Sequence, residues 1–302
     1  MIRSTVTCGE TISSVPKKKN PVRVICFSKD RPFQLKEYLR SFLLMSLDDV
    51  DLCVLYKKSD RYASSYERVE AMFPTVRFVR ETSFYNEMQE LVSGDYNYIQ
   101  FDVDDSVYYR EFRMKDAFDA LADPKVLNFQ WGMHPRCDHS QTQDWAAIKV
   151  PQLEDRGSFF CWSRSDGTGS WSWPFKLTAS VYRIEMCLEI IRSLGPAVIT
   201  TPNTFELEAV RFSMRGRLFA TRGSRLFAAR PLSACPKVAV SSCIAVNVVQ
   251  EDCPPRIEGD GIALGPERLD SLLAEGRELD LDYYRNQSFN SSHIGDFVLK
   301  RP

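Results

Sequence analysis

Histidine, net charge and paired cysteine are what this sequence has least of. Only His134, His139 and His293 occur in 302 residues, so imidazoles are scarce as candidate metal ligands. A His/Cys zinc site would have to start from His134, Cys137 and His139, and no regularly spaced fourth ligand accompanies them. Thirty-nine Lys and Arg against 40 Asp and Glu leave a formal charge of −1, so no overall field draws nucleic acid or an anionic membrane as a partner. The cysteines stand at 8, 26, 53, 137, 161, 187, 235, 243 and 253, an odd number with no CxxC pair. Cys26 and Cys53 lie inside apolar runs, where a thiol packs as a small hydrophobe; the pattern implies a reducing, cytoplasmic setting. No apolar run reaches the ~20 residues of a membrane span. The first twenty residues carry Lys17-Lys18-Lys19 and no apolar centre, unlike a signal peptide or anchor. The expectation is a soluble chain, or a soluble segment of a longer, anchored protein. No internal repeat is present.

What is there is a core and an alternation. With 44% hydrophobic residues the chain can fill one large α/β domain. Residues 1–20 read as a flexible leader and 21–302 as a single domain, with halves meeting near 125 and 126. Val22 to Phe27 is an apolar, β-branched run suited to a buried strand, and Pro32 fits the first turn of a following helix. Leu35, Tyr38, Leu39, Phe42 and Leu43 then recur at helical spacing. The unit repeats: strands over Asp51 to Tyr56 and Val76 to Val79, helical faces at Tyr62, Tyr66, Val69, Met72 and at Phe84, Met88, Leu91, Val92. A fourth strand, Tyr96 to Phe101, runs straight into Asp102-Val103-Asp104-Asp105. Such alternation predicts a mostly parallel, doubly wound sheet flanked by helices, with ligands beyond the carboxyl ends of its strands. Further on, the pattern predicts a short helix around Ala117 to Leu121, a strand over Val126 to Trp131 and a loop over 154–175. It then predicts a helix containing Val181, Ile184, Leu188 and Ile191, a short strand over Ala197 to Thr200 and a helix from Asn203. Sheet is expected near 238–249, and a last helix over Pro266 to Ala274, stopped by Gly276. The later half forms a smaller, mixed region.

Three carboxylates in four positions after an apolar strand repel one another unless protons or a cation compensate them, and oxygen-rich sites suit Mg2+ or Mn2+. A divalent ion there can bridge phosphate oxygens and stabilise a departing diphosphate. The four-strand series ending in Asp-Val-Asp-Asp resembles GT-A glycosyltransferases and their DxD motif. Phe27-Ser28-Lys29-Asp30-Arg31-Pro32-Phe33-Gln34-Leu35 is similar to the first strand and helix of family-2-like members. The resemblance covers roughly residues 22–110 and implies a GT-A type fold, a nucleotide-sugar donor and a glycan or other hydroxyl acceptor. It makes Ser28, Arg31, Lys57 and Asp102 nucleotide or phosphate contacts. The family pair aligns with Asp102/Asp104 or with Asp104/Asp105, and Asp104 and Asp105 are favoured as closest to the metal. His293 occurs where some GT-A enzymes supply a further ligand.

In Thr201-Pro202-Asn203-Thr204-Phe205-Glu206-Leu207-Glu208, Asn203 and Glu206 have capping-box spacing. GT-A enzymes that invert configuration place their general base at a helix start in this region, which makes Glu206 the first candidate base and Glu208 the second. The family's adjacent acidic pair is absent, since Leu207 separates the two. Trp162, Trp171 and Trp173 crowd a Gly/Ser-rich stretch, and an indole can pack on the C–H face of a sugar, so they form a candidate acceptor platform. The same indoles can instead pin a long loop to the core. A haloacid-dehalogenase-like phosphatase is the rival enzyme, because Asp102-Val103-Asp104-Asp105-Ser106 resembles its nucleophile motif, although that motif normally follows the first strand. A non-catalytic sugar- or nucleotide-binding module is the third reading.

Overall fold

A computed structural model describes residues 21–140, 146–214, 231–244 and 264–301. The expected leader and part of the sheet expected near 238–249 lie outside the described residues. The first strand, β1 (Val22–Lys29), is buried on both faces and sets the fold. Its side chains alternate: Val24 and Cys26 join one core, Ile25 and Phe27 the other. Pro32 opens α1 (Pro32–Met45), since a residue with no N–H loses nothing at a helix start. The chain continues as β2 (Asp51–Lys57), α2 (Ala63–Met72), β3 (Arg77–Arg80), α3 (Phe84–Val92) and β4 (Tyr98–Val103). A tight acidic turn leads into β5 (Ser106–Tyr108), α4 (Met114–Leu121) and β6 (Val126–Gln130). Two short strands pair with each other, β7 (His139–Ser140) and β8 (Ala146–Ala147). Then come β9 (Glu154–Asp155), β10 (Phe159–Ser163), β11 (Ser180–Arg183), α5 (Ile184–Leu194), α6 (Pro202–Met214) and β12 (Leu232–Pro236). The last elements are β13 (Ser241–Ile244), α7 (Pro266–Ala274), α8 (Leu281–Asn286) and β14 (His293–Ile294).

The main sheet has the order β3-β2-β1-β4-β11-β6-β12-β10-β9, and β10 and β11 run against the rest. Helices α1, α2, α4 and α7 cover one face, α3, α5 and α6 the other, so the chain is the expected α/β class. A second sheet, β14-β13-β5, hangs from the acidic turn after β4.

Three sequence expectations need correction. Val181 belongs to a strand, because Ser180–Arg183 inserts antiparallel between β4 and β6 before the helix begins at Ile184. The stretch 154–175 contains β10, whose Phe159-Phe160-Cys161-Trp162 run pairs with β12. Residues 197–200 form a turn outside the sheet. Strand β12 and helix α8 were not foreseen from the pattern at all.

The carboxyl-terminal segment is stapled to α1 through Glu37, which is fully buried. Its Oε2 accepts from Arg40 Nη2 at 2.6 Å and from the backbone N–H of Leu279 at 2.9 Å, and Lys36 Nζ lies 2.7 Å from Oε1. The two cations reach on, Lys36 to Arg277 O and Arg40 to Leu279 O. Removing one member of a buried charged set strands the others and costs about 3–5 kcal/mol. Glu37→Ala is therefore expected to lower unfolding stability by about that amount, with Glu37→Gln in between. Chemical denaturation followed by circular dichroism checks it; a change under about 1 kcal/mol would show the staple to be dispensable.

Candidate functional site

The register of β1 on β4 builds the centre of the site. Phe27 pairs with Val103 and accepts from Asp104 N at 3.0 Å, so the loop after β1 lies against the acidic turn. Asp30 adopts φ 52 there, a conformation Asp tolerates, and its carboxylate accepts from Ser59 N at 2.7 Å. This fixes the turn from which Arg31 reaches across. Arg31 Nη1 lies 3.2 Å from Asp104 Oδ1 and 3.0 Å from Asp105 Oδ2. Ser28 Oγ donates to Asp104 Oδ2 at 2.8 Å and lies 2.7 Å from the hydroxyl of Tyr66. Cys243 Sγ, on the second sheet, donates to Asp105 Oδ1 at 3.1 Å. Burial raises the Asp104 carboxyl to about 6, with Arg31 pulling it back down and Asp105 adding to the rise.

The three aspartates are thus not equivalent. Asp102 is fully buried and turned into the domain, where it accepts from Tyr108 at 2.6 Å, Gln100 at 3.1 Å and the Ala179 N–H at 3.2 Å. Burial raises it to about 6, against those hydrogen bonds. The structure gives Asp102 the place of an internal brace, not that of the expected nucleotide contact. It also leaves the phosphatase reading without an accessible nucleophile at the first aspartate of the motif.

The antiparallel insertion of β11 supplies the opposite wall. Ser180 pairs with Phe101 on one side and Gln130 on the other, so the chain before β11 runs along the carboxyl end of β4, where Ala179 N meets Asp102 and Lys176 comes past Val103. Lys176 lies there, 7% exposed. It lines a cavity with Gln130, Gly132, Thr178, Ser241, Ser292 and His293. Burial pushes its amine down to about 8, with Glu206 among the groups opposing that shift. His293 pairs with Cys243 across β14 and β13, and burial and the Lys176 charge push its imidazole down to about 4, against the pull of Asp105. His293 is therefore neutral at pH 7. Asp105, His293, Lys176 and Glu206 follow one another as electrostatic neighbours.

Glu206 lies in the first turns of α6, but that helix is capped by a different pair. Thr201 Oγ1 accepts from Thr204 N at 3.1 Å, and Thr204 Oγ1 accepts from Thr201 N at 2.9 Å. The capping box expected of Asn203 and Glu206 is not what forms. Glu206 instead accepts from Trp173 Nε1 at 3.1 Å and from Leu177 N at 3.0 Å, clasping the segment that carries Lys176. Burial raises its carboxyl above the usual glutamate range, against those two hydrogen bonds. Glu208 turns away to an ion pair with Arg211. Lys57 turns to Glu81 and does not join the acidic pair.

The tryptophan platform is corrected by burial. Trp162 and Trp171 are 1% and 0% exposed and pack edge to face with centroids 4.8 Å apart. Trp162 Nε1 donates to Trp171 O and Trp171 Nε1 to Cys137 O, so both pin the loop to the domain. Gly167 lets Trp171 approach, since a Cβ there would lie 2.6 Å from that of Trp171. Only Trp173 reaches the surface, at 37% exposed. Lys176 has little signal in the sequence beyond being a lone cation between Phe175 and Leu177.

Comparison with known proteins follows this geometry. No family model matches the chain. The chain is similar to the bifunctional glycosyltransferase pgtA of Dictyostelium discoideum, 28% identical over 314 aligned residues. The match covers 93% of this chain and 39% of that protein. Among solved structures, mannosyltransferase PcManGT from Pyrobaculum calidifontis, in complex with GDP-Man and Mn2+, overlaps 67% of this chain and 54% of its own, with 16% identity and a TM-score of 0.40. TarS of S. aureus overlaps 63% of this chain and 33% of its own, with 10% identity and a TM-score of 0.41. Neither overlap is close enough to transfer a site. No helix among the described residues is long and apolar enough to cross a membrane. The seven described cysteines are free and buried.

The Lys176 amine predicts a stability profile. Its value in the fold, about 8, lies below the ordinary 10.5, so the folded protein bears the cost of a buried ammonium at every pH below about 8. As pH rises from there to 10.5 the folded amine becomes neutral first and that cost disappears. Lys176→Met should therefore be more stable than the parent at pH 7 by on the order of 3–4 kcal/mol, at ~1.4 kcal/mol per pKa unit between about 8 and 10.5. Denaturant titrations at pH 7 and pH 10 check it: the gap should narrow at the higher pH, and a gap of constant size would contradict a buried charge.

Proposed function

We propose that the chain is a GT-A-like glycosyltransferase that moves a sugar from a nucleoside-diphosphate donor to an acceptor hydroxyl, assisted by Mg2+ or Mn2+. The observation that carries the reading is the Asp104/Asp105 pair, held by Arg31 at the carboxyl end of β4 in a largely parallel sheet. The similarity to pgtA supports the same class of activity.

The residues fit a cation that arrives with the donor. Among the described residues no three His, Cys, Asp or Glu side chains gather as a metal cage. Mg2+ does not need one, because it is usually bound by one or two carboxylates and completed by substrate phosphates and water. Asp105 and Asp104 would hold it, with neutral His293 beside them. When bound, the cation would neutralise the charge left on the diphosphate as the sugar departs.

The chain itself supplies the rest. Arg31, already aligned with both carboxylates, can contact phosphate while keeping the pair compensated. Ser28 and Tyr66 hold Asp104 in place. At the other end Glu206 is the candidate base. The acceptor oxygen forms its bond to the anomeric carbon as the bond to the diphosphate oxygen breaks, and Glu206 takes the hydroxyl proton. Its raised carboxyl is closer to the pKa that general-base work at neutral pH requires than an exposed glutamate would be.

Two outcomes test this. With nucleotide sugars and a panel of hydroxyl acceptors, transfer should require Mg2+ or Mn2+, and Asp105→Asn should lower it at least ~100-fold, the scale of losing a key electrostatic contact. Transfer that survives both EDTA and Asp105→Asn would remove the acidic pair from the mechanism. Glu206→Gln should likewise lower transfer by roughly 100-fold or more while nucleoside-diphosphate affinity stays within about threefold. Trp173→Phe deletes only the indole donor to Glu206, so it should cost far less; equal losses in the two variants would make Glu206 a clasp and not the base.

A further inference from the structure

We propose that the cavity around Lys176 is a phosphate subsite, built to take a phosphate group through an ammonium and serine hydroxyls. The proposal rests on the transferase reading and assigns a binding role to a residue outside the DxD motif.

Lys176 is 7% exposed, and no carboxylate, carbonyl or hydroxyl among the described residues forms a hydrogen bond or ion pair with its ammonium. Every other lysine so deeply placed has a partner: Lys36, also 7% exposed, has Glu37 and the Arg277 carbonyl. An isolated buried cation is costly and is kept where an anion completes it. Two further polar atoms of the same cavity, Gln130 Oε1 and Ser241 Oγ, are buried without a hydrogen-bond partner. Buried polar atoms are rarely left unpaired unless a ligand, ion or water meets them. Ser242 and Ser292 also line it, with their hydroxyls bonded to Tyr109 and His293. Gln130 Oε1 can accept from a hydroxyl carried beside the phosphate, as on a sugar phosphate.

The placement is enforced by the fold. Residue 176 lies beyond the end of β4 because β11 enters antiparallel, and Glu206 clasps Trp173 and Leu177 on either side. Lys176 and Asp105 are both electrostatic neighbours of His293, and Asp105 also pairs with Arg31. A phosphate has oxygens on several sides and can meet such flanking cations at once. A carboxylate on the acceptor would satisfy the ammonium too, but would leave the neighbouring hydroxyls fewer oxygens to engage.

Calorimetry with inorganic diphosphate in Mg2+ buffer tests the assignment on the full chain, with glucuronate as the carboxylate arm. Diphosphate affinity should fall at least tenfold in Lys176→Met, fall less in Lys176→Arg, and drop about threefold to tenfold in Ser241→Ala. Thermal melts of each variant establish that it is folded before binding is compared. Unchanged diphosphate affinity in folded Lys176→Met would overturn the proposal. So would Lys176-dependent binding of glucuronate in place of diphosphate, or no diphosphate binding by the parent chain. Sugar transfer assayed in parallel separates the two readings. Transfer by the parent with Lys176-independent diphosphate binding sinks the subsite alone. Lys176-dependent diphosphate binding by a chain that transfers no sugar sinks the transferase reading and keeps the subsite.

Discussion

Three carboxylates within four residues, at the end of a strand buried on both faces, cannot all be left ionised and unpaired. The fold resolves this by dividing them. Asp102 turns inward and is saturated by Tyr108, Gln100 and a backbone N–H, while Asp104 and Asp105 share the guanidinium of Arg31. That division fixes much of what surrounds it. Ala179, which donates to Asp102, anchors the start of β11, and Gln100, Tyr108 and Trp131 knit the strands beneath the site into one network. The inward carboxylate braces the scaffold, and the outward pair is the one proposed to meet the donor.

The second consequence is a cation on each of two segments at this end of the sheet. Arg31 approaches from the loop after β1, and Lys176 approaches from the segment before β11. One cation is compensated within the protein and the other is not. The Trp162 and Trp171 pair contributes rigidity from below, holding the long loop so that only Trp173 and the Lys176 segment reach the site.

Much of this was legible in the sequence where periodicity and neighbouring residues agree. The β-α alternation through Val103, Pro32 at a helix start, and the helix over Pro266–Ala274 all follow local rules, and local rules decided them. The place of the acidic turn was legible for the same reason: it follows an apolar strand. What was hidden depends on pairing between distant residues. Ser180–Arg183 carries the apolar spacing of the helix it precedes, and only its partners on β4 and β6 make it a strand. Glu206 sits three residues after Asn203, yet Thr201 and Thr204 take the cap, because two short hydroxyl side chains can bond each other's N–H reciprocally. The tryptophans were visible as a cluster, but whether an indole faces sugar or core is set by the walls around it. Lys176 had almost no local signal, since its meaning comes from the absence of a partner in three dimensions.

The arrangement proposed places a nucleoside diphosphate between the two cations at the end of β4. A crystal structure of the chain with a nucleoside diphosphate and Mn2+ measures this directly. The account predicts phosphate oxygens between Asp105 and Lys176, with Arg31 in contact and Asp102 still bonded to Tyr108. A nucleotide bound elsewhere, or a phosphate that leaves both Asp105 and Lys176 untouched, would contradict it.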